Sequence, residues 1–524
     1  MKTDHLQIRK PGTLRMGLMP IFLTIGVLGL GGCASLPGGG ARSLEDEILE
    51  IISSPPLDQV HWGILIVDPS RNQTLFSLDA HKKFVPASNM KVLSTSTALS
   101  LLGPEYRFET EIWGVGELDP STGHLEGDLV LRPVGDPTLS DRFYPTATAP
   151  LDSLAERLWT AGIRSVSGSL VVDASAWDST TVPGSWMVGN LTGTSGATGA
   201  ALAIGEGELH VEVRGGPRPG DSATVRWWPE TPTDFFSATF LTTQPDSSRR
   251  WESSYLPESR QLAIQGVVPA GVTDTISFSQ RNPEDLAANA LFMAIGRRGI
   301  RVGQGIRVSH ERNEPLGSGG CVTGWPLEGE TTRQDILPDC TGSRPLAALE
   351  SPSLGEIVEG ILEPSQNWMT EQLVRALGLA LGEEGSWREG FRVEEEFLSG
   401  VVGVDTLDLH FRDGSGLSAY NLVTPRAMVR ILTYMRNSPH GDLYRLALAE
   451  PGEDPGTLRN RLLGLEGRVF AKTGTISHVN SLSGYLRTES GRDLVFSILT
   501  NGSGLSSAPV RAAIDRVVQS VARR

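Results

Sequence analysis

The texture of the chain changes twice, and the two changes bracket its organisation. Residues 61–67 form an apolar run ending at Asp68, residues 69–72 supply turn chemistry, and residues 73–78 resume as a strand. That spacing predicts a β-hairpin. Pro86 opens a helical stretch through Leu102, with Met90, Val92, Leu93, Ala98, Leu101 and Leu102 apolar, and Gly103-Pro104 ends it. A short helix at 45–52 precedes both. From Tyr106 to about Ser309 the pattern turns to short β-like runs (108–113, 127–132, 168–172, 208–213 and 223–228), broken by helical stretches at 151–162 and 282–299. Past Ser351-Pro352 helices return at 354–362, 367–381, 387–400 and 425–437. Strands near 468–471, 481–487 and 493–501 and a helix from Ala508 close the chain.

Two strands at the start and three at the end predict one antiparallel sheet flanked by helices. This is an α+β domain, split into halves at 44–107 and 346–524 by a large, mainly β two-domain insertion at 108–345. Strand-like runs restart after Trp186, which suggests a nested third domain at about 188–275. A length of 524 residues suits two to four domains. No fixed-period repeat is present.

The N-terminus reads as a targeting segment. Lys2, Arg9, Lys10 and Arg15 precede an apolar run at 16–30, whose 15 residues fall short of a membrane span and fit a signal-peptide core. The run ends in Leu30-Gly31-Gly32-Cys33, which resembles a lipobox whose cysteine is acylated. Residues 1–32 are then a lipoprotein signal peptide and 33–43 a flexible tether. Ala34, not Asp, follows the cysteine, and the resemblance to lipoproteins then implies retention at the outer membrane in a cell that has one, with the body in the periplasm. The alternative is an ordinary secretory signal with a chance cysteine. Cys321 and Cys340 remain as an even pair in an oxidising compartment, either bridged across a Gly-, Pro- and acid-rich loop or left as free thiols.

Charge narrows the chemistry. The net charge is −15, and −18 once the basic leader is set aside, with no basic run or aromatic-basic stripe, which argues against nucleic-acid binding. Of 46 Lys and Arg residues only six are lysines: Lys2, Lys10, Lys82, Lys83, Lys91 and Lys472. A chain that meets its need for positive charge with arginine keeps a lysine where an amine must be able to lose its proton.

Two of those lysines lie in short motifs. Ser88-Asn89-Met90-Lys91 starts the first long helix, and its i, i+3 spacing puts hydroxyl and amine on one face. The helix N-terminus aims backbone N–H groups at charge developing near the serine. A serine alcohol is too weakly acidic to attack an amide unaided, so a neutral amine beside it can serve as base. Ser365-Gln366-Asn367 opens the 367–381 helix; read alone, it is an N-cap. Lys472-Thr473-Gly474-Thr475 ends the strand at 469–471; read alone, it is a strand running into a turn with a surface lysine. No serine sits in G-x-S-x-G, no two histidines are spaced i, i+4, and C-x-x-C and Walker loops are absent. No metal, nucleotide or other cofactor is expected.

In the order S-x-x-K, S-x-N, K-T-G, the motifs resemble the penicillin-recognising acyl-serine transferases, the penicillin-binding proteins and serine β-lactamases. Ser88 and Ser365 lie 277 positions apart, and Ser365 and Lys472 lie 107 apart. A long insertion between the first two motifs resembles the D-alanyl-D-alanine carboxypeptidase/endopeptidase family, the class C low-molecular-mass penicillin-binding proteins. Phe84-Val85-Pro86-Ala87-Ser88-Asn89, Gly135-Asp136-Pro137-Thr138-Leu139 and Asp413-Gly414-Ser415-Gly416-Leu417-Ser418 carry the likeness further. Residues 193–202 depart from it, being Gly/Thr-rich where the family has a Tyr-x-Ala-Pro-Val-Ser-Ala-like stretch, and 321–340 resembles an extra loop.

The resemblance implies that Ser88 attacks the D-Ala-D-Ala carbonyl while neutral Lys91 takes its proton, with the N–H groups of Ser88 and Thr475 as oxyanion hole. Ser365 would relay a proton to the departing amine, and Asn367 would hold Lys91 and the substrate amide. Lys472 would add a positive charge that favours neutral Lys91 and, with Thr473 and Gly474 of the same strand, draw the substrate's negative end. It also implies peptidoglycan stem peptides as substrates, cleavage of D-Ala-diamino-acid cross-links as a second activity, and β-lactams as inhibitors that trap Ser88. A serine β-lactamase of the same fold and a non-catalytic peptidoglycan-binding lipoprotein are the alternatives. Fluorescent penicillin separates the three by stable labelling, rapid turnover or no labelling.

Overall fold

The computed structural model describes residues 42–230, 235–256, 261–311, 320–322 and 343–524. Cys33 and Cys340 lie outside them. Cys321 is described, buried and disulfide-bonded.

Five strands make the central sheet: β1 (His61–Asp68), β2 (Gln73–Leu78), β3 (Val469–Ile476), β4 (Val479–Arg487) and β5 (Asp493–Asn501). Their order is β3-β4-β5-β1-β2, and every pairing is antiparallel, as the sequence predicts. The period-2 alternation of a strand sorts the side chains between two apolar layers. Trp62, Ile64 and Ile66 of β1, Val469 and Ala471 of β3 and Leu494, Phe496 and Ile498 of β5 face one layer. There they meet the helices Leu44–Ile52 and Ser507–Ala522, the latter amphipathic through Val510, Ala513, Ile514, Val517, Val518 and Val521. Phe470, Tyr485, Val495 and Leu499 face the other layer, against α1 (Met90–Leu102) and the helices of the C-terminal half. Because Lys472 is two residues beyond Phe470, it also faces α1.

The helix α1 runs through the middle of this second layer, and every residue from Met90 to Leu99 is buried. Its two buried threonine hydroxyls bond locally: Thr95 donates to the Lys91 carbonyl at 2.5 Å and Thr97 to that of Leu93 at 2.9 Å.

The chain leaves this layer and returns to it side by side. Phe108 and Ser351 exchange hydrogen bonds, and Glu109–Asp119 pairs antiparallel with Ala347–Glu350. Between them lies a mixed sheet of seven strands rather than hairpins alone: Leu170–Asp173 joins His124–Arg132 and Ile306–Ser309 in parallel, and the helices Ala149–Thr160 and Pro283–Arg297 pack on it. Two three-stranded sheets within residues 208–279 enclose a separate small core of Leu209, Val211, Phe236, Phe240, Ile264 and Phe278.

The strands of those small sheets begin at Glu208, not near residue 188. The stretch before them lies along α2 (Asn367–Leu381) instead. From α2, Trp368 Nε1 donates to the Thr198 carbonyl at 2.9 Å, Gln372 Nε2 to that of Ala200 at 2.9 Å and Arg375 Nη1 to that of Gly199 at 3.0 Å. A Cβ on Gly199 would lie 2.0 Å from Gln372 Oε1. The glycine-rich composition of 193–202 is what allows so close an approach.

Candidate active site

Ser88 sits in a single 3₁₀ turn, Ala87–Asn89, just ahead of α1. The turn is gripped from two sides. A Cβ on Gly416 would lie 1.8 Å from the Ala87 carbonyl oxygen, and one on Gly474 would lie 2.2 Å from Ser481 Oγ and 3.0 Å from Ser88 N. Only glycine fits at either place, and Gly474 thereby brings the K-T-G strand against the serine backbone. Asn89 strengthens the grip: its Nδ2 donates to the Lys472 carbonyl at 3.1 Å and to Ser481 Oγ at 2.7 Å, while Ser481 Oγ donates to the Pro86 carbonyl at 2.7 Å. Ala87 takes φ 48, so the bend ahead of the serine is strained.

Lys91 is fully buried, and its Nζ lies 3.1 Å from Ser88 Oγ, 2.6 Å from Asn367 Oδ1 and 2.7 Å from the Ser415 carbonyl oxygen. Burial brings the amine down to about 7, against the opposing pull of Glu371 and Asp413. A neutral amine has two N–H donors and one lone pair. With the donors spent on Asn367 and Ser415, the lone pair is left for the Ser88 hydroxyl proton.

Two carboxylates below the site hold the loop that supplies Ser415. Glu371 accepts from Ser415 N at 2.8 Å, Gly414 N at 2.9 Å and Trp387 Nε1 at 2.8 Å. Asp413 accepts from Trp186 Nε1 at 2.8 Å, Gly416 N at 2.8 Å, Ser418 N at 2.5 Å and Asn421 Nδ2 at 2.5 Å. Burial first, and then Asp413, raises Glu371 to about 7.

Asn367 is the first residue of α2, but Ser365 is not its cap. Gln366 fills that position, its side chain accepting from Met369 N, while Ser365 bends the entry at φ 68. Asn367 Nδ2 donates to the Ser195 carbonyl at 2.8 Å, which fixes the amide so that its oxygen faces Lys91.

Lys472 is fully buried, so the surface-lysine reading of K-T-G fails. Burial and then the charge of Lys91 push its amine well below the ordinary range, and Nζ donates to the Thr473 carbonyl at 3.0 Å. For Lys91 too, burial is the largest cause of the lowering, ahead of any charge. Thr473 and Gly474 are buried within β3, and Thr475 is exposed toward its end.

The structure thus gathers Ser88, Lys91, Asn367, Lys472 and Gly474 in one place. Sequence reasoning missed Glu371, Asp413, Asn89 and Ser195. Glu371 had a signal, since it lies one helical turn beyond Asn367 in an apolar stretch; Ser195 acts through its backbone and had none. Among the described residues, no cluster of three or more His, Cys, Asp or Glu side chains could hold a metal ion.

A model of the D-Ala-D-Ala carboxypeptidase 3 (S13) family matches residues 44–316 and 322–523. The D-alanyl-D-alanine carboxypeptidase of Actinomadura sp. (strain R39) is 32% identical over 493 residues, spanning 92% of this chain and 85% of that protein. D-alanyl-D-alanine carboxypeptidase DacB of Haemophilus influenzae is 23% identical over 452 residues, 84% of this chain and 85% of that protein. The solved structure of penicillin binding protein 4 (dacB) from Haemophilus influenzae matches with a TM-score of 0.75 at 21% identity, covering 91% of this chain and 99% of that one. The same protein complexed with a β-lactam matches with a TM-score of 0.70 at 20% identity, covering 92% and 100%.

Proposed function

Because the chain belongs to the D-Ala-D-Ala carboxypeptidase 3 (S13) family of serine peptidases, we propose that Ser88 and Lys91 are the nucleophile and base with which it releases terminal D-alanine from peptidoglycan stem peptides. The observation that carries this is the surroundings of Lys91 Nζ, which leave a neutral amine one lone pair, 3.1 Å from Ser88 Oγ.

Ser88 Oγ attacks the carbonyl of the penultimate D-alanine as its proton passes to Lys91. The N–H groups of Ser88 and Thr475 receive the oxyanion. The proton then moves from Lys91 through the Ser365 hydroxyl to the departing amine, the C–N bond breaks, and D-alanine leaves an acyl-Ser88 ester. Water, deprotonated by Lys91, hydrolyses that ester and restores the serine. Asn367 keeps Lys91 in place throughout. Lys472 and Thr473 draw the terminal carboxylate. A β-lactam enters as a cyclic mimic of the dipeptide and stays on Ser88 because its leaving group remains tethered.

The same site cleaves D-Ala-diamino-acid cross-links. In support, a cavity of about 410 Å³ adjoins the S-x-N turn, and beyond the Arg142–Glu206 ion pair that forms part of its wall, Asp141 and Glu208 line it with further carboxyl groups suited to a diamino-acid ammonium. Among the described residues no helix is long and apolar enough to cross a membrane, and attachment rests on a lipid at Cys33, with the body in the periplasm.

Digestion of purified muropeptides, followed by mass spectrometry, tests the reading. Pentapeptides should lose D-alanine and cross-linked dimers should fall to monomers. Persistence of dimers while pentapeptides are trimmed removes the second activity. If neither changes while penicillin still labels Ser88, the hydrolase reading fails. Incorporation of an alkyne fatty acid, lost in Cys33→Ala, tests the anchor.

A further inference from the structure

We infer that Glu206 is a positioning residue for the S-x-N turn, reaching out of the insertion to fix the peptide segment that carries Ser365 and Asn367. This rests on the reading of Ser365 and Asn367 as part of the catalytic centre.

The backbone supplies the first observation. Gly205, Glu206 and Gly207 take φ values of 63, 55 and 67, three consecutive left-handed residues. Glycine adopts that conformation without strain, and it occupies the two outer positions. The middle one keeps a side chain despite the strain, so the side chain must supply something glycine cannot.

What it supplies is a buried carboxylate in a fixed network. Glu206 is 9% exposed. Arg142 grips it with both arms of its guanidinium, Nε to Oε1 and Nη2 to Oε2, the latter at 3.0 Å. Oε2 also accepts from Gln366 Nε2. Gln366 stands between the two motif residues, and its own Oε1 accepts from Met369 N at 3.3 Å to cap α2. An amide has one acceptor end and one donor end. Once its oxygen caps the helix, its NH₂ needs an acceptor on the other side, and an acceptor-only carboxylate is the matching partner.

The network sits where small displacements matter. Ser365 is itself left-handed at φ 68, so the turn is held by its contacts rather than by its own preference. Gly207 packs against the indole of Trp368, the neighbour of Asn367: a Cβ there would lie 2.8 Å from Trp368 Cδ1. Asn367 Oδ1 in turn lies 2.6 Å from Lys91 Nζ. Loosening Gln366 therefore moves the acceptor that orients the base, without touching substrate or base directly. A residue that merely glued the insertion to the core would change stability but leave the folded enzyme's chemistry intact.

Glu206→Gly separates the two possibilities, since it relieves the backbone while removing the carboxylate. The full-length variant should stay folded, since relief of the left-handed backbone offsets part of the lost Arg142 and Gln366 contacts, yet its rate constant for acylation by fluorescent penicillin should fall by about tenfold or more, as for a modest misplacement of catalytic groups. Penicillin's non-covalent affinity should change less than about twofold, because a positioning residue acts on the chemical step rather than on ground-state binding. Glu206→Gln should behave similarly, and Glu206→Gln combined with Gln366→Glu, which restores an amide–carboxylate pair in the opposite sense, should recover much of the loss. Acylation of Glu206→Gly at the wild-type rate overturns the inference. So does failure of that variant to fold, or a loss of rate that follows the thermal midpoint across all three variants. Absence of acylation in wild type would instead strike the functional reading on which this rests.

Discussion

Both faces of the central sheet are covered by helices at β1, β3, β4 and β5, whereas the two small sheets within 208–279 keep one face in water. The burial along the strands makes the contrast: β4 and β5 are buried at nearly every position, while Thr224–Trp228 and Phe236–Thr243 alternate between buried or half-buried and exposed. Double cover creates the dry volume in which Lys91 and Lys472 are fully enclosed, and desolvation is the largest cause of the lowered amine of each. A half-wet sheet cannot do this. The proposed catalytic centre therefore lies in the doubly covered layer, which the insertion reaches at Trp186, Ser195 and Glu206 as well as at the carbonyls of Thr198, Gly199 and Ala200.

The largest effects should follow from changes inside the dry volume. Ser88→Ala should abolish covalent penicillin labelling with little change in thermal midpoint. Lys91→Arg keeps a charge but offers no titratable lone pair, so acylation should drop by about 10²–10⁴-fold, the usual worth of a general base. Stopped-flow acylation kinetics on the folded variant check it. Near-normal rates would mean that dryness around Lys91 serves something other than base catalysis.

Two excisions test the boundary between the regions. His210 and Ser277 are antiparallel neighbours, so an Asn-Gly turn can join them and remove the whole of the sheet within 236–269 and most of the other. We expect that variant to acylate within about threefold of wild type, since most of what is removed belongs to a separate small core. Excision of 190–275 should instead abolish acylation, because it removes the carbonyls of Ser195, Thr198, Gly199 and Ala200 that seat α2, together with Glu206. Equal behaviour of the two variants would erase the proposed division, and with it the modular reading of 108–345.

Legibility in the sequence followed the same division. Strands covered on both faces read as apolar runs, so β1, β4 and β5 are marked to within a few residues, while the largely exposed β2 is marked by the turn before it; the expected end of β3 fell short because Lys472, Thr473 and Gly474 look like a turn. In the small sheets Phe236–Thr243 and Thr273–Ser279 carry Ser and Thr on their wet faces and resemble loops, so neither is visible. Of the site, the residues that bear reactive atoms were visible because chemistry demands their identity. Those that orient them were not: Ser195 contributes a carbonyl, which any residue has, and Trp186 meets Asp413 only across 227 positions of chain. The fragment Asp413-Gly414-Ser415-Gly416 was conspicuous, but its purpose, a loop wound on two buried carboxylates so that one carbonyl meets Lys91, depends on tertiary contacts.

The smallest predicted effect is the sharpest probe of the contrast, because two carboxyls pushed up to about 7 lie on opposite sides of it. Glu371 is buried beneath Lys91, whereas Glu208 belongs to the insertion and is raised by burial, Glu206 and Asp141. As the proposed base, Lys91 must be neutral, so acylation should fall about tenfold per pH unit below the titration near 7 and level off above it. The negative charge of Glu371 holds the Lys91 proton on, so Glu371→Gln should move the profile to lower pH. Normalised to its own plateau, that variant should be faster than wild type at pH 6. It should also lose about 1–3 kcal/mol of stability, because an amide cannot accept all three N–H groups that Glu371 receives. Glu208→Gln should leave the profile where it is. A shift caused by Glu208→Gln, or a move to higher pH in Glu371→Gln, would show that the amine is tuned from the insertion side and not by the carboxylates of the doubly covered layer.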